Sequence, residues 1–280
     1  MGLWPFKKKI KLGIAFGGGG ARGFAHVGAI KAFLEYGIDF DYVAGTSAGS
    51  VVGAAYAAGL SYEQILEICK KVDAKEIRNS KFFIMPSKTD GIQKLIIEAL
   101  GDIDIKDLKK PFVAVATDLK STKEVRITKG NLAKAVAGSC AVPGIFQPVE
   151  FEDMLLADGG LHNNIPSEAV RSAGANLVVA VDVNKSRGAG TESSKVVDVL
   201  SVSLGILMKA SSLKGYINAD IVLKPETKRF KASKLDDMEG MIEEGYREAI
   251  DQIGQILALK RGKIKKAKKP NFDDDITYIR

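Results

Sequence analysis

The feature that most constrains this chain is a run of four glycines, Gly17 to Gly20, between an apolar segment and a helix-like one. The segment before the run, "KLGIAF", has the length and composition of a short buried strand, and "GFAHVGAIKAFLEYG" after it has a helical pattern ending at Gly37. A loop without side chains at such a turn leaves backbone N–H groups free beside a helix amino terminus, where negative charge is favoured. The run therefore predicts a strand, a bare loop that can hold an anionic group, and a helix.

Strand-like and helix-like segments continue to alternate along the chain. Further strands are predicted at residues 40–45, 111–119, 124–128, 154–160 and 176–183, and helices at 48–59, 62–72, 91–100 and 238–257. This alternation is typical of an α/β domain with a mostly parallel sheet. With no internal repeat, we predict one domain at residues 11–258, preceded by a basic and aromatic extension at 1–10 and followed by a basic tail at 259–280.

Positive charge is concentrated at the two ends of the chain. The formal net charge is +7, and "KRGKIKKAKK" at residues 260–269 alone carries seven positive and no negative charges. Such a tail either lies against an anionic membrane, at about 1 kcal/mol per charge, or remains a solvated terminal run. Trp4 and Phe6 beside a lysine cluster give the amino end the composition of an interfacial anchor or of a frayed terminus. These ends are the candidate membrane contacts, and we do not expect a nucleic-acid partner.

Several classes of protein are disfavoured by what the sequence lacks. No stretch reaches the ~18 apolar residues of a transmembrane helix and no secretory signal is recognisable, which predicts a cytoplasmic protein. Cys69 and Cys140 have neither the number nor the spacing of a disulfide framework or zinc site, so we expect both to be reduced and structural. An apolar segment at residues 196–213 is predicted to be either a core or homodimer helix, or a lid or membrane-facing helix.

One interpretation of the glycine run is a nucleotide site. Gly18, Gly20 and Gly23 satisfy G-x-G-x-x-G, and Asp39 and Asp41 follow about twenty residues later. In a dinucleotide fold, however, the acidic residue lies at the carboxyl end of the second strand, whereas these two precede the apolar "YVAG". A Walker loop is excluded because no Gly-Lys-Ser/Thr follows at the required spacing.

A second interpretation comes from "GTSAG" at residues 45–49, which is G-x-S-x-G directly after the second predicted strand. A serine nucleophile on a strand-to-helix turn needs glycines two residues to either side, so that neighbouring backbone can pass closely. Ser47 would then stand at the amino end of the next helix. Acyl transfer also needs backbone donors about 3 Å from a developing oxyanion, and the glycine run can supply them, with Arg22 adding positive charge or fixing the loop.

The serine requires a base, and the candidates are few. The chain has only two histidines, His26 in the first helix and His162. Asp158 ends an apolar strand and precedes Gly-Gly, a position that can present a carboxylate to a cleft or form a simple turn. A triad of Ser47, Asp158 and His162 has the chain order of α/β-hydrolases, but only four residues separate its last two members.

Taken in order, "GGGARG" at residues 18–23, "GTSAG" at 45–49, "SCAVPGIFQPV" at 139–149 and "DGG" at 158–160 resemble the bacterial patatin-like phospholipases. The resemblance implies a three-layer α/β/α fold and a Ser–Asp dyad that hydrolyses lipid acyl esters without histidine, metal or cofactor. Carried onto this chain, it implies Ser47 as nucleophile and Asp158 as base. It further implies the amides of Gly18, Gly19 and Gly20 as the oxyanion hole, with Arg22 as the basic residue of the glycine motif.

The remaining alternatives are a Ser–Asp–His esterase, a regulatory protein that binds a nucleotide through the glycine loop, and a catalytically silent member of the family that binds a membrane or partner. The motifs are confined to residues 11–183, so the sequence leaves the lipid class, the acyl-chain pocket and the oligomeric state open.

Overall fold

A computed structural model of the chain describes residues 10–71, 88–184, 194–230 and 237–262. Residues 1–9 of the predicted amino-terminal extension and residues 263–280 of the predicted basic tail lie outside these ranges. The membrane contacts expected of the two ends therefore stay predictions.

One sheet organises the described residues. Its strands are β1 (Leu12–Phe16), β2 (Tyr42–Thr46), β3 (Phe112–Asp118), β4 (Lys123–Ile127), β5 (Val149–Phe151), β6 (Met154–Asp158), β7 (Leu177–Val181) and β8 (Ile221–Leu223). The order is β5-β6-β3-β2-β1-β7-β8, with β4 paired to β3. The pairings of β1 with β2 and β7, of β2 with β3, and of β7 with β8 are parallel, whereas those involving β4, β5 and β6 are antiparallel. The mostly parallel sheet expected from the alternation is confirmed.

Helices connect most of these strands. They are α1 (Phe24–Glu35), α2 (Ala48–Ala57), α3 (Tyr62–Lys71), α4 (Asp90–Leu100), α5 (Leu132–Ser139), α6 (Ser167–Ser172), α7 (Val196–Asn218) and α8 (Met238–Lys260). Helix α8 continues two residues past the predicted domain end. Within the described ranges, none of the helices combines the length and apolarity needed to cross a bilayer.

The helices form a layer on each face of the sheet. Leu12, Ile14 and Phe16 of β1 belong to a large apolar cluster that includes residues of α1, α2, α3, α4, α5 and α8. Ala15, between Ile14 and Phe16, faces the other way and packs in a second cluster with Ala169 of α6, against which Tyr216 of α7 also packs. Because strand side chains alternate between faces, both sides of β1 are buried, as expected for a parallel sheet. The three-layer α/β/α architecture is confirmed.

Helix α8 lies along α1 with the two backbones in close approach. A Cβ added to Gly28 would lie 1.9 Å from the carbonyl oxygen of Ile242, and one added to Gly245 would lie 1.8 Å from that of Ala25. Both distances are far below van der Waals contact, so only glycine permits this packing. The contact ties the carboxyl-terminal helix to the helix that follows the glycine loop.

Candidate active site

Ser47 occupies a strained turn between β2 and α2. Its backbone has φ 53° and ψ −129°, a region that non-glycine residues rarely adopt. The other two non-glycine residues with positive φ in the described chain, Thr122 and Glu152, lie in turns that join antiparallel strands. Strain held at a strand-to-helix turn is typical of a nucleophile elbow.

The glycines on either side of Ser47 allow the backbone to pass closely at this turn. A Cβ on Gly45 would lie 2.3 Å from the carbonyl oxygen of Gly49, and a Cβ on Gly49 would lie 2.2 Å from that of Phe16. Each contact joins the turn to a neighbouring piece of backbone that cannot move aside cheaply. The G-x-S-x-G pattern therefore has the packing role that the sequence predicts.

Hydrogen bonds from side chains elsewhere in the chain hold the turn in place. The Ser47 N–H donates to Oγ of Ser139 (2.9 Å), and that hydroxyl donates to the carbonyl oxygen of Val115 (2.6 Å). Ser50 Oγ donates to the Ser47 carbonyl (2.7 Å). Ser139 was not among the predicted site residues, although it opens the "SCAVPG" segment that carries part of the family resemblance.

The glycine loop lies directly against Ser47. A Cβ on Gly18 would be 3.2 Å from Ser47 Cβ. The Gly18 N–H, however, donates to the carbonyl oxygen of Asn164 (3.0 Å), so this amide is used inside the protein. The amides of Gly18, Gly19 and Gly20 were all expected to face an oxyanion. The Gly18 amide does not, because it is bonded to the segment after Asp158. Within the described residues, no hydrogen bond uses the N–H of Gly19 or Gly20.

Arg22 anchors the far side of the glycine loop. Its Nε donates to the carbonyl oxygen of Phe230 (2.8 Å) and its Nη1 to Oδ1 of Asn184 (3.1 Å). Asn184 Nδ2 in turn donates to the carbonyl oxygen of Gly18. Burial lowers the pKa of the Arg22 guanidinium, and the nearby Asp182 carboxylate partly offsets that effect. Two roles were expected for Arg22, adding positive charge or fixing the loop, and these contacts support the second.

Asp158 ends β6 and is fully buried. Its Oδ1 accepts a hydrogen bond from the Gly160 N–H (2.7 Å). Its own N–H donates to the Ala141 carbonyl (2.9 Å), and its carbonyl accepts from Thr117 Oγ1 (3.1 Å). The carboxylate is therefore held in one orientation by the turn that follows it, with the backbone fixed on both sides.

The sheet brings Ser47 and Asp158 to one edge. Thr46, which precedes the serine, pairs with Val115, and Asp158 pairs with the next residue of β3, Ala116. Two strand spacings, about 10 Å, separate Thr46 and Asp158 across β3. Ser47 and Asp158 thus lie near each other on the sheet, although they are more than a hundred positions apart in the chain.

Asn164 packs between the glycine loop and the turn after Asp158. Its Oδ1 lies 2.7 Å from the position that a Cβ on Gly18 would occupy and 3.0 Å from the corresponding position on Gly160. The Gly160 position is itself 3.0 Å from Asp158 Oδ1. Asn164 was not predicted from the sequence. It is 1% exposed, so its contacts with both loops are shielded from water.

The two histidines have different surroundings. His26 is fully buried, with Nε2 2.8 Å from the carbonyl oxygen of Gly17, and burial lowers its pKa to about 4. A neutral ring that donates from Nε2 therefore supports the start of the glycine loop. His162 is exposed, and its Nδ1 is 3.2 Å from Thr117 Oγ1. No hydrogen bond between His162 and Ser47 occurs in the described residues, which gives the proposed triad no support.

The structure contradicts the geometry needed for the dinucleotide alternative. Asp39 and Asp41 lie at the amino end of β2, opposite the glycine loop. Asp41 Oδ2 accepts from the Leu12 N–H (2.8 Å), and both oxygens of Asp39 are 2.8 Å from Lys110 Nζ. A ribose at the glycine loop could not reach either carboxylate.

The cysteines and the potential metal ligands of the described residues form no second candidate site. Cys69 and Cys140 are buried and free. Burial, with a contribution from the Asp158 carboxylate, raises the pKa of Cys140 to about 12, and burial alone raises that of Cys69 to about 12. Both thiols are therefore unreactive at neutral pH, as expected for structural cysteines. Over the same residues, no cluster of three or more His, Cys, Asp or Glu side chains could hold a metal ion.

Comparison with known proteins decides the family. The model of the patatin-like phospholipases matches residues 14–171, which is more than half of the chain and includes the glycine loop, Ser47 and Asp158. The chain belongs to the patatin-like phospholipase family. It is 35% identical over 183 residues to an NTE family protein of Mycobacterium tuberculosis, covering 63% of this chain and 50% of that protein.

Other relatives agree with this assignment, and one solved structure has a similar fold. The chain is 33% identical over 184 residues to a neuropathy target esterase of Drosophila melanogaster and 33% over 179 residues to a lysophospholipase of Pyricularia oryzae. Each match covers 61% of this chain, but only 13% and 12% of the relative, so the chain corresponds to one part of these proteins. The fold is similar to that of VipD from Legionella pneumophila, with a TM-score of 0.60, 16% identity, and coverage of 89% of this chain and 67% of VipD.

Proposed function

We propose that this protein hydrolyses the acyl esters of lipids through a covalent acyl-enzyme, with Ser47 as nucleophile and Asp158 as base. The observation that carries the proposal is the position of Ser47. It lies at the strained start of α2, against the glycine loop, on the same sheet edge as a buried aspartate. Membership of the patatin-like phospholipases, and relatives described as an esterase and a lysophospholipase, support an acyl ester of a lipid as the substrate.

In the first half of the reaction, Ser47 Oγ attacks the acyl carbonyl carbon and its proton passes to the Asp158 carboxylate. A carboxylate is a weak base for a hydroxyl in bulk water, so this transfer requires a site that excludes most water. Ser47 is 6% exposed and Asp158 is fully buried. Collapse of the tetrahedral adduct breaks the ester bond, and the leaving alcohol takes the proton from Asp158.

The oxyanion of that adduct is stabilised by the N–H groups of Gly19 and Gly20. Donors that are already oriented, and that act where water is excluded, contribute the most to such a step. The Gly18 carbonyl and amide are both held by asparagine side-chain or backbone atoms, so the loop does not have to reorganise when the charge develops. The amino terminus of α2 adds a favourable dipole at Ser47.

In the second half, water attacks the acyl-enzyme. Asp158 accepts a proton from that water, the same oxyanion forms against Gly19 and Gly20, and Ser47 Oγ leaves with the proton. The products are a free fatty acid and the alcohol released in the first half, and the enzyme returns to its starting state. Besides substrate and water, these steps use only groups of the chain itself.

The test compares wild type with Ser47→Ala, Asp158→Asn and His162→Gln in hydrolysis of p-nitrophenyl butyrate. Loss of a nucleophile or of its base lowers kcat by about a thousandfold or more, because the two groups act together. We expect this loss in the first two variants and near-normal turnover in His162→Gln, with unchanged far-ultraviolet circular dichroism in all three. Turnover retained by Ser47→Ala or Asp158→Asn would contradict the dyad, and its loss in His162→Gln would favour a triad.

A further inference from the structure

The outward side of α7 is an apolar surface with no covering partner in the described part of the chain. Its exposed apolar side chains are Val196, Val199, Leu200, Ile206, Leu207 and Leu213. At 3.6 residues per turn these six lie within an arc of about 140° of the helix. Ile206 is the most informative of them, because it lies in the middle of the helix and is 64% exposed. We call these six residues the α7 outer face.

The opposite side of α7 is fixed to the body of the protein. Met208 and Ser212 are buried there, at 5% and 4% exposure. A Cβ on Gly215 would lie 2.3 Å from the carbonyl oxygen of Ile165, so the helix backbone rests directly on the segment after Asp158. Lys214, near the carboxyl end of the helix, forms ion pairs with Glu124 (2.7 Å) and Glu168 (2.9 Å). The helix therefore cannot turn its apolar outer face inward without losing these contacts.

The fixed side of α7 contacts the segment after Asp158 directly and reaches the glycine loop through Asn164. Ser211 Oγ donates to the carbonyl oxygen of Gly160 (2.7 Å) and accepts from the Asn164 N–H (3.2 Å). Ser212 Oγ accepts from Asn164 Nδ2 (3.2 Å). The Asn164 carbonyl is the acceptor for the Gly18 amide. Asn164 thus links α7 to the glycine loop. The hydrogen bond from Ser211 to Gly160 links α7 to the turn that orients Asp158.

The chemistry of the surface fits a lipid bilayer. Apolar side chains on one face of a helix, with cations at the edge of that face, are typical of helices that lie in a membrane interface. Lys195 and Lys209 are exposed beside the outer face, and the helix carries one carboxylate, Asp198. A second copy of the chain could also cover apolar side chains, but it would not explain why the surface adjoins a site for a lipid.

We propose that the α7 outer face is the surface through which this protein docks on an anionic lipid bilayer. The docked helix holds the glycine loop and the Asp158 turn above the membrane, so that an acyl ester can enter from the lipid. The inference rests on the proposed function for its choice of partner. It concerns a surface that no residue of the dyad or of the oxyanion loop forms.

The test measures docking without turnover. Ser47→Ala protein is sedimented with vesicles of phosphatidylcholine and phosphatidylglycerol in equal proportions, and compared with the same protein carrying Ile206→Ser and Leu207→Ser. Both added changes are at exposed positions, so the fold is expected to be kept. The matched control carries Leu34→Ser and Ile97→Ser, which remove exposed apolar side chains, 42% and 41% exposed, from helices in the opposite layer.

We expect the α7 variant to partition into vesicles at least about tenfold less than its parent, because two apolar side chains no longer enter the interface. The Leu34 and Ile97 control is expected to bind like the parent. Equal binding by the α7 variant and its parent overturns the proposal. So does a parent that is dimeric in analytical ultracentrifugation and becomes monomeric on the α7 substitutions without any change in vesicle binding.

A second readout separates docking from catalysis. With Ser47 restored, the Ile206 and Leu207 changes are expected to leave p-nitrophenyl butyrate turnover unchanged and to lower fatty-acid release from vesicles. If wild type hydrolyses no ester, the proposed function fails while the sedimentation result still decides docking. If the soluble ester is hydrolysed and vesicle binding does not depend on α7, docking fails and the dyad stands.

Discussion

Ser47 keeps an unfavourable backbone conformation because its neighbours compensate for it. A non-glycine residue held at such a φ costs on the order of 1–3 kcal/mol. The Ser47 N–H donates to Ser139 Oγ and the Ser47 carbonyl accepts from Ser50 Oγ, and these bonds hold the turn in place together with backbone contacts at Gly45 and Gly49. The result is a hydroxyl fixed at a helix amino terminus, where a developing negative charge is favoured.

Ser139 is the residue whose loss should affect this turn most without touching substrate. Ser139→Ala removes the acceptor for the Ser47 N–H and the donor to the Val115 carbonyl, and it leaves buried backbone groups without partners. We expect the free energy of unfolding to fall by about 1–3 kcal/mol and kcat to fall with it. Urea titration and ester kinetics measure the two effects. Wild-type values for both in Ser139→Ala would show that the hydroxyl does not support the elbow.

At the residue scale, sequence reasoning could select Ser47, Asp158 and the glycine loop as candidates because each belongs to a short motif with a chemical purpose. It could not find Ser139 or Asn164, since their roles depend on contacts with segments far away in the chain. Nor could it assign the Gly18 amide to Asn164 rather than to an oxyanion. A motif names the residue types, but the partners of each N–H are set by packing.

The elements that periodicity predicted are the long or strongly patterned ones. The strands and helices on either side of Gly17–Gly20 and Ser47 were predicted to within one or two residues. Four elements were missed: β5, β8, α5 and α6. β5 and β8 are only three residues long, which is too short for a periodic pattern. Helix α5 is buried on most sides, so its sequence does not alternate between apolar and polar residues. The helix predicted at residues 196–213 is confirmed, but the sequence could not show which side of it packs against the protein.

The packing of α8 on α1 gives a prediction at the element scale. Gly245 and Gly254 lie on the same helix, but a Cβ on Gly245 would clash with the Ala25 carbonyl, whereas one on Gly254 would have open space around it. Gly254→Ala should raise the free energy of unfolding by about 0.5–1 kcal/mol, since alanine favours the helix. Gly245→Ala should lower it, because the two helices must separate.

Thermal and urea unfolding of the two variants measure this difference. Both changes are glycine to alanine in the same helix, so the gain in helix propensity is the same in each. Equal shifts in both variants would mean that α1 and α8 do not pack as closely in solution as described. A loss in Gly245→Ala alone would confirm that the backbone contact orders the helix behind the glycine loop.

For the whole molecule, the free energy of unfolding is expected to fall at acid pH because of His26. Burial lowers its pKa to about 4, whereas the ordinary value of 6.5 applies in the unfolded chain. Between these values the unfolded chain binds the proton and the folded protein does not, so stability falls as the pH falls from 6.5 to 4. The loss is on the order of 3 kcal/mol over that window.

His26→Gln checks this prediction, because glutamine can still donate to the Gly17 carbonyl but does not titrate. Urea unfolding at a series of pH values should show a steeper decline for wild type than for His26→Gln between pH 6.5 and 4. His162→Gln is the control, since that side chain is exposed. Parallel curves for wild type and His26→Gln would contradict a buried neutral histidine.

The most direct test of the central claim is the site of reaction with a short alkyl fluorophosphonate. Ser47 Oγ would attack phosphorus, fluoride would leave, and Asp158 would take the proton, which leaves a stable phosphonyl ester. Mass spectrometry of the digested protein should locate the adduct on Ser47, with labelling much slower in Asp158→Asn and absent in Ser47→Ala. An adduct on any other residue, or undiminished labelling of Ser47→Ala, would contradict the assignment of Ser47 as the nucleophile.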